Sequence, residues 1–150
     1  MMQDPTVLGY LGRALSLEMS AVQQYLALAR LLEVRGMAKM GEKFRHEARE
    51  EMEHAERIIG RMLALGVGPS ASQLRPASLE GTLDQLIQHV SQMELEIVGF
   101  YAQAVSYCER AQDHENRMFF AALLQEEQQH AGEMDALKQQ IQAGETAGFE

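Results

Sequence analysis

Apolar residues recur at i, i+3 or i+4, and i+7 along four long stretches of this chain, the period of an amphipathic helix. In the first stretch the stripe is Val7, Leu11, Ala14, Leu15, Ala21, Val22 and Leu28. Asp4-Pro5 reads as its start, an N-cap acceptor followed by proline at the first helical position. The pattern predicts helices over about 5–34, 38–64, 82–111 and 114–142. Gly36 punctuates the first pair, Gln112-Asp113-His114 punctuates the second, and Gly144 stops the last. Thr82 and Gln85 have the spacing of a capping box at the third start. Between the pairs lies Gly66-Val67-Gly68-Pro69-Ser70, with irregular chain continuing to Pro76, a crossover over 65–80. About 15 extended residues reach up to roughly 50 Å. That is enough to return along a helix of about 40 Å. The expectation is an all-α single domain over 1–150: two helical hairpins joined by a long crossover, with a short tail over 143–150.

Composition narrows the picture. The 150 residues are 46% hydrophobic, but no apolar run approaches the ~20 residues of a membrane span. A net charge of −9 without a basic stripe argues against nucleic acid and favours cations as partners. A single cysteine, Cys108, excludes an intrachain disulfide framework and reads as packing. No basic segment followed by an apolar one opens the chain, so a cytoplasmic location is expected.

The chemistry lies in a pattern that occurs twice, 76 residues apart. Glu18 precedes Glu51 and His54. Glu94 precedes Glu127 and His130 at the same 33-residue interval. Tyr25 and Tyr101, Phe44 and Phe120, Glu50 and Glu126, and Ala55 and Ala131 share the 76-residue offset. On antiparallel helices, Glu18 and Glu51 stand equidistant from the turn near Gly36 and meet at one level; Glu94 and Glu127 do the same. Within each Glu-x-x-His the two side chains share a helical face. A bundle holding two metal ions needs one Glu from each of two helices and Glu-x-x-His from each of the other two. Four carboxylates and two imidazoles suit divalent iron or manganese.

These residues resemble a bacterioferritin, over positions 1 to about 142. The resemblance implies a ferritin-like four-helix bundle whose di-iron ligands are Glu18, Glu51, His54, Glu94, Glu127 and His130. It implies that Glu51 and Glu127 bridge, that Glu18 and Glu94 are terminal, and that each histidine binds one iron. Tyr25 matches a tyrosine beside the site that supplies an electron or a hydrogen bond. Tyr101 reads as a core aromatic. The implied activity is a ferroxidase: Fe(II) is oxidised by dioxygen or hydrogen peroxide, and ferric mineral is stored in a 24-subunit shell built on two-fold dimers. Met52 matches the axial ligand of a haem b shared across such a dimer, with Arg45 and Arg49 on the same stripe for its propionates. Met19, Val22 and Leu26 are expected to extend that apolar face. His46 and Glu50 resemble an inner-surface iron site. His89 and His114 read as surface residues.

Two departures stand out. The Gly-rich tail leaves a fifth helix absent or vestigial. Val34, Gly66, Gly132 and Ala136 stand where an intersubunit iron-entry pore commonly carries polar groups. Two other functions compete with storage. One is a non-mineralising di-iron oxidase or peroxidase of the rubrerythrin type, which commonly carries a Cys-x-x-Cys module that this chain lacks. The other is a haem-bridged dimer acting in electron transfer.

Overall fold

The computed structural model describes residues 3–70 and 73–150. Four helices account for the architecture: α1 (Pro5–Val34), α2 (Ala38–Ala64), α3 (Leu83–Arg110) and α4 (His114–Gln142). Each start follows from its local sequence. Asp4 accepts from the Thr6 amide at 2.8 Å ahead of Pro5. Thr82 and Gln85 close a reciprocal capping box on α3, which satisfies two otherwise orphaned amides. Asp113 caps α4 through the Asn116 amide at 3.1 Å. The α1–α2 turn passes through Gly36 at φ +81°, a left-handed conformation open to glycine without cost.

α1 packs along α2 and α3 along α4, and α1 also meets α3. The crossover runs beside α1, pinned by a polar stripe at helical spacing. Ser16 Oγ accepts from the Gln73 amide at 3.1 Å, and Ser20 Oγ from the Arg75 amide at 3.0 Å. Gln24 exchanges two hydrogen bonds with the Ser78 backbone, at 2.8 and 2.9 Å. Partner numbers rise together on both segments, so the crossover travels parallel to α1. It thereby delivers α3 parallel to α2, the ferritin-like arrangement.

The four largest fully buried side chains are Tyr25, Tyr101, Phe44 and Phe120. They are two pairs related by the 76-residue offset, so the sequence repeat is a repeat of the core itself. Gly41 lets α2 approach α1: a Cβ there would stand 2.8 Å from the Ala29 carbonyl oxygen. Beyond α4 the chain forms only a 3-10 turn, Ala147–Phe149, which touches α2 and packs Phe149 on the core. Cys108 is buried in the core. Among the described residues, no helix is long and apolar enough to cross a membrane.

Candidate metal centre

The structure brings all six repeated residues to one point inside the bundle. Glu18 comes from α1, Glu51 and His54 from α2, Glu94 from α3, and Glu127 and His130 from α4. None is more than 4% exposed. Their oxygen and nitrogen atoms form two sets of four, each within 4.8 Å: Glu18, Glu51, His54 and Glu127; and Glu51, Glu94, Glu127 and His130. Glu51 and Glu127 belong to both.

The histidines aim alike. His54 Nδ1 donates to Glu127 Oε1 at 2.9 Å and lies 3.4 Å from Glu18 Oε2. His130 Nδ1 lies 2.9 Å from Glu51 Oε1 and 3.4 Å from Glu127 Oε2, without hydrogen-bond alignment to either. The rings stack nearly parallel, 5.8 Å apart. Behind each ring, Nε2 faces an outer carboxylate. His54 Nε2 is 3.5 Å from Glu126, itself held by Arg57 at 2.7 Å. His130 Nε2 contacts Glu50, itself held by His46 at 2.7 Å. Glu50 and Glu126 are thus an equivalent pair that orients the two imidazoles, as outer carboxylates do for histidine ligands.

The tyrosines complete the symmetry. Tyr25 donates its hydroxyl to Glu94, and Tyr101 donates to Glu18 at 2.8 Å. Tyr101 is therefore more than a core aromatic: its phenol reaches the carboxylate cluster just as Tyr25 does. Burial, with the neighbouring carboxylates, raises both phenols well above their ordinary value.

Without a metal these groups share protons. Burial raises Glu18, and raises Glu51 and Glu94 well above the carboxylate range. Burial also opposes charge on Glu127, but the close imidazoles of His130 and His54 overcome it and hold Glu127 below that range. For His54, burial disfavours the imidazolium, yet hydrogen bonds to Glu127 and Glu18 raise it to about 10. The same contest, won by Glu127 with Glu47 and Glu50 nearby, raises His130 to about 9. Even so, Glu18 Oε2, both Glu51 oxygens, Glu94 Oε2, Glu127 Oε2 and His130 Nδ1 are buried without a hydrogen-bond partner. Orphaned polar atoms are costly singly, and their convergence on one point marks a place built for cations.

Sequence reasoning passed over Glu47. It is buried, its Oε2 is unpartnered, and that oxygen lies 3.8 Å from His130 Nδ1. Burial raises it to about 7. Glu47, Glu50 and His130 form a third ligand set beside the first two. A cleft lined by Glu50, Glu53, His54, Glu126, Gln129 and His130 opens there toward solvent. His46 stands at its edge, exposed.

Other expected residues lie elsewhere. Met52 is 42% exposed on the outer face of α2, and Leu26 on α1 is 45% exposed. Val22, expected on that outer face, is buried, and Met19 is half-buried. Arg45 is occupied by Glu33 and Glu42, while Arg49 stays exposed. Val34, Gly66, Gly132 and Ala136 are all surface positions, as are His89 and His114.

Comparison with known proteins agrees with this architecture. The sequence profile of the ferritin-like domain matches residues 8–143. The bacterioferritin of Rhodobacter capsulatus is 35% identical, covering 92% of this chain and 84% of the relative. A bacterial ferritin of Neisseria meningitidis is 31% identical over 99% and 94% of the two chains. One of Synechocystis is 30% identical over 85% and 82%.

Proposed function

Since the chain belongs to the bacterioferritins of the ferritin-like family, we propose that it is an iron-storage ferroxidase. It oxidises Fe(II) at the six-residue centre and deposits ferric mineral in an oligomeric shell. The observation that carries this reading is the pair of overlapping ligand sets, buried with six partnerless polar atoms.

Fe(II) is the substrate. One ion takes Glu18 and His54, the other Glu94 and His130, and Glu51 and Glu127 serve both. Two divalent cations offset four carboxylates that would otherwise repel one another in a dry interior. Two Fe(II) give one electron each to dioxygen, which with two protons leaves as hydrogen peroxide. Glu126 and Glu50 fix the imidazoles from behind, and Tyr25 and Tyr101 hold Glu94 and Glu18 in place. Glu50, which lines the cleft, and the buried Glu47 behind it supply oxygen ligands on the way in, with His46 as the outermost donor.

Stopped-flow oxidation of Fe(II) tests the assignment. Glu94→Ala and Glu127→Ala should each lose the fast phase while far-ultraviolet circular dichroism stays helical. Unchanged fast oxidation in both variants would remove the site.

A haem b is the second reading, and one observation favours it. Met52 presents an exposed thioether on α2. Met52 from each of two symmetric copies would hold a haem through its thioether, a ligand type that haem iron accepts. Met52 fits such a group, and Arg49, exposed and 4.0 Å from Glu42, would be more available to a propionate than Arg45, which Glu33 and Glu42 hold. When bound, the haem supplies one-electron transfer between the outside and the stored iron. Light scattering separates storage from a haem-bridged dimer acting in electron transfer, because a 24-subunit shell is far larger than two chains.

A further inference from the structure

We propose that Tyr101, Tyr10 and Tyr107 form an electron relay between the metal centre and the protein surface, separate from Tyr25. The proposal rests on the ferroxidase reading and deepens it.

The relay is continuous in the structure. Tyr101, fully buried, donates its hydroxyl to Glu18. Its ring contacts Phe100 at 5.5 Å and Phe120 at 6.4 Å between centroids. Both of these meet Tyr10, at 5.7 and 6.2 Å. Tyr10 meets Tyr107 at 5.9 Å, and the Tyr107 hydroxyl donates to the Asp4 carboxylate. All these separations fall in the range of direct ring contact. The path thus begins and ends on a phenol bonded to a carboxylate, with a third tyrosine half-buried between them.

The other tyrosine has no such exit. Tyr25 stacks on Phe44 at 5.9 Å, and among the described residues neither ring touches another aromatic. The sequence repeat accounts for the difference. Phe100 and Tyr107 correspond at the 76-residue offset to Gln24 and Leu31, and Tyr10 corresponds to Leu86. The bundle's pseudo-symmetry covers the two inner tyrosines and is broken where the aromatic path leaves.

The relay handles peroxide that meets a centre holding a single Fe(II). Hydrogen peroxide takes one electron from Fe(II), and one electron with its proton from Tyr101. With one further proton from solvent the products are two waters, Fe(III) and a neutral Tyr101 phenoxyl radical. The phenolic proton reaches the peroxide by way of Glu18, to which the Tyr101 hydroxyl is hydrogen-bonded. Tyr10 and then Tyr107 refill the vacancy, each giving an electron and a proton as the inner phenol regains both. At the surface, Fe(II) and a proton restore Tyr107 and leave Fe(III). The oxidising equivalent is spent on substrate iron instead of on the core.

Freeze-quench electron paramagnetic resonance tests this. Protein loaded with one Fe(II) per chain is mixed with hydrogen peroxide, with and without ring-deuterated tyrosine. The expected result is a tyrosyl radical that persists in Tyr25→Phe and is lost in Tyr101→Phe. A nitroso spin trap, located by mass spectrometry, should mark Tyr107 in the unmodified protein and leave it unmarked in Tyr101→Phe and Tyr10→Phe. Tyr10→Phe keeps the ring packing and lies away from the ligands, so its loss of label cannot come from a damaged centre. A radical abolished by Tyr25→Phe alone, or Tyr107 labelled equally in Tyr10→Phe, overturns the relay. In either case normal Fe(II) oxidation leaves the ferroxidase reading standing, whereas absent oxidation in the unmodified protein removes both.

Discussion

Filling the metal-free centre with two divalent ions at pH 7 should release at least about two protons per chain, and the structure sets that figure. His54 and His130 stand at about 10 and about 9 without metal, so both are imidazolium at neutral pH. Each must become neutral to offer Nδ1 to an ion. Burial raises Glu18, Glu51 and Glu94, so any of them still protonated at pH 7 adds to the release. Glu127, already ionised, adds nothing. Two protons per pair of ions mean that the overall association constant rises about a hundredfold per pH unit near neutrality, about 2.7 kcal/mol.

The sign for stability follows from the same groups. Each histidine is raised from 6.5, so its contribution is full below that value and is lost as pH climbs through 9 to 10. The raised carboxyls contribute fully below 4.5 and lose that contribution as pH rises. The lowered Glu127 loses its contribution only in acid. Metal-free protein should therefore melt lower at pH 8 than at pH 6, and the stabilisation by metal should grow over the same interval. Anaerobic Co(II) titration gives stoichiometry from its absorption bands, and calorimetry in buffers of different ionisation enthalpy gives the proton count. A release near zero, or a pH-independent affinity, would refute the proton-sharing cluster.

Three further outcomes are expected. Gly41→Ala should destabilise the protein by about 1–3 kcal/mol in urea unfolding, because the added methyl meets the Ala29 carbonyl oxygen rather than a yielding side chain. Thr82→Ala should cost about 1 kcal/mol through loss of the α3 capping box, and a Tm unchanged from the parent would contradict the cap. Met52→Leu should fold normally but take up no haem in a reconstitution followed by visible absorption, and normal uptake would remove the haem reading.

Much of this molecule is legible in its sequence, for identifiable reasons. Helical periodicity and the Gly36 and Gly144 stops are local signals, so α1 to α4 can be read without tertiary information. The metal centre is legible because the repeat places Glu18, Glu51, Glu94 and Glu127 at one level on antiparallel helices. What the repeat does not duplicate stays hidden. Glu47 corresponds to Leu123, so the offset that exposes its neighbours passes over it. Tyr101 does obey the offset, but which carboxylate its phenol reaches is decided by the packing of α3 against α1. Ser16, Ser20 and Gln24 read as ordinary polar helix positions until the crossover lies along them. Arg45 shares a stripe with Met52 in sequence, yet Glu33, on the neighbouring helix, claims it.

The paired site itself is tested most directly by crystals of the protein soaked anaerobically with Fe(II) and measured on either side of the iron absorption edge. Two anomalous peaks should appear in each chain. One should lie among Glu18, His54, Glu51 and Glu127, and the other among Glu94, His130, Glu51 and Glu127. A single peak, or iron bound only at the surface by His46 and Glu50, would contradict the account.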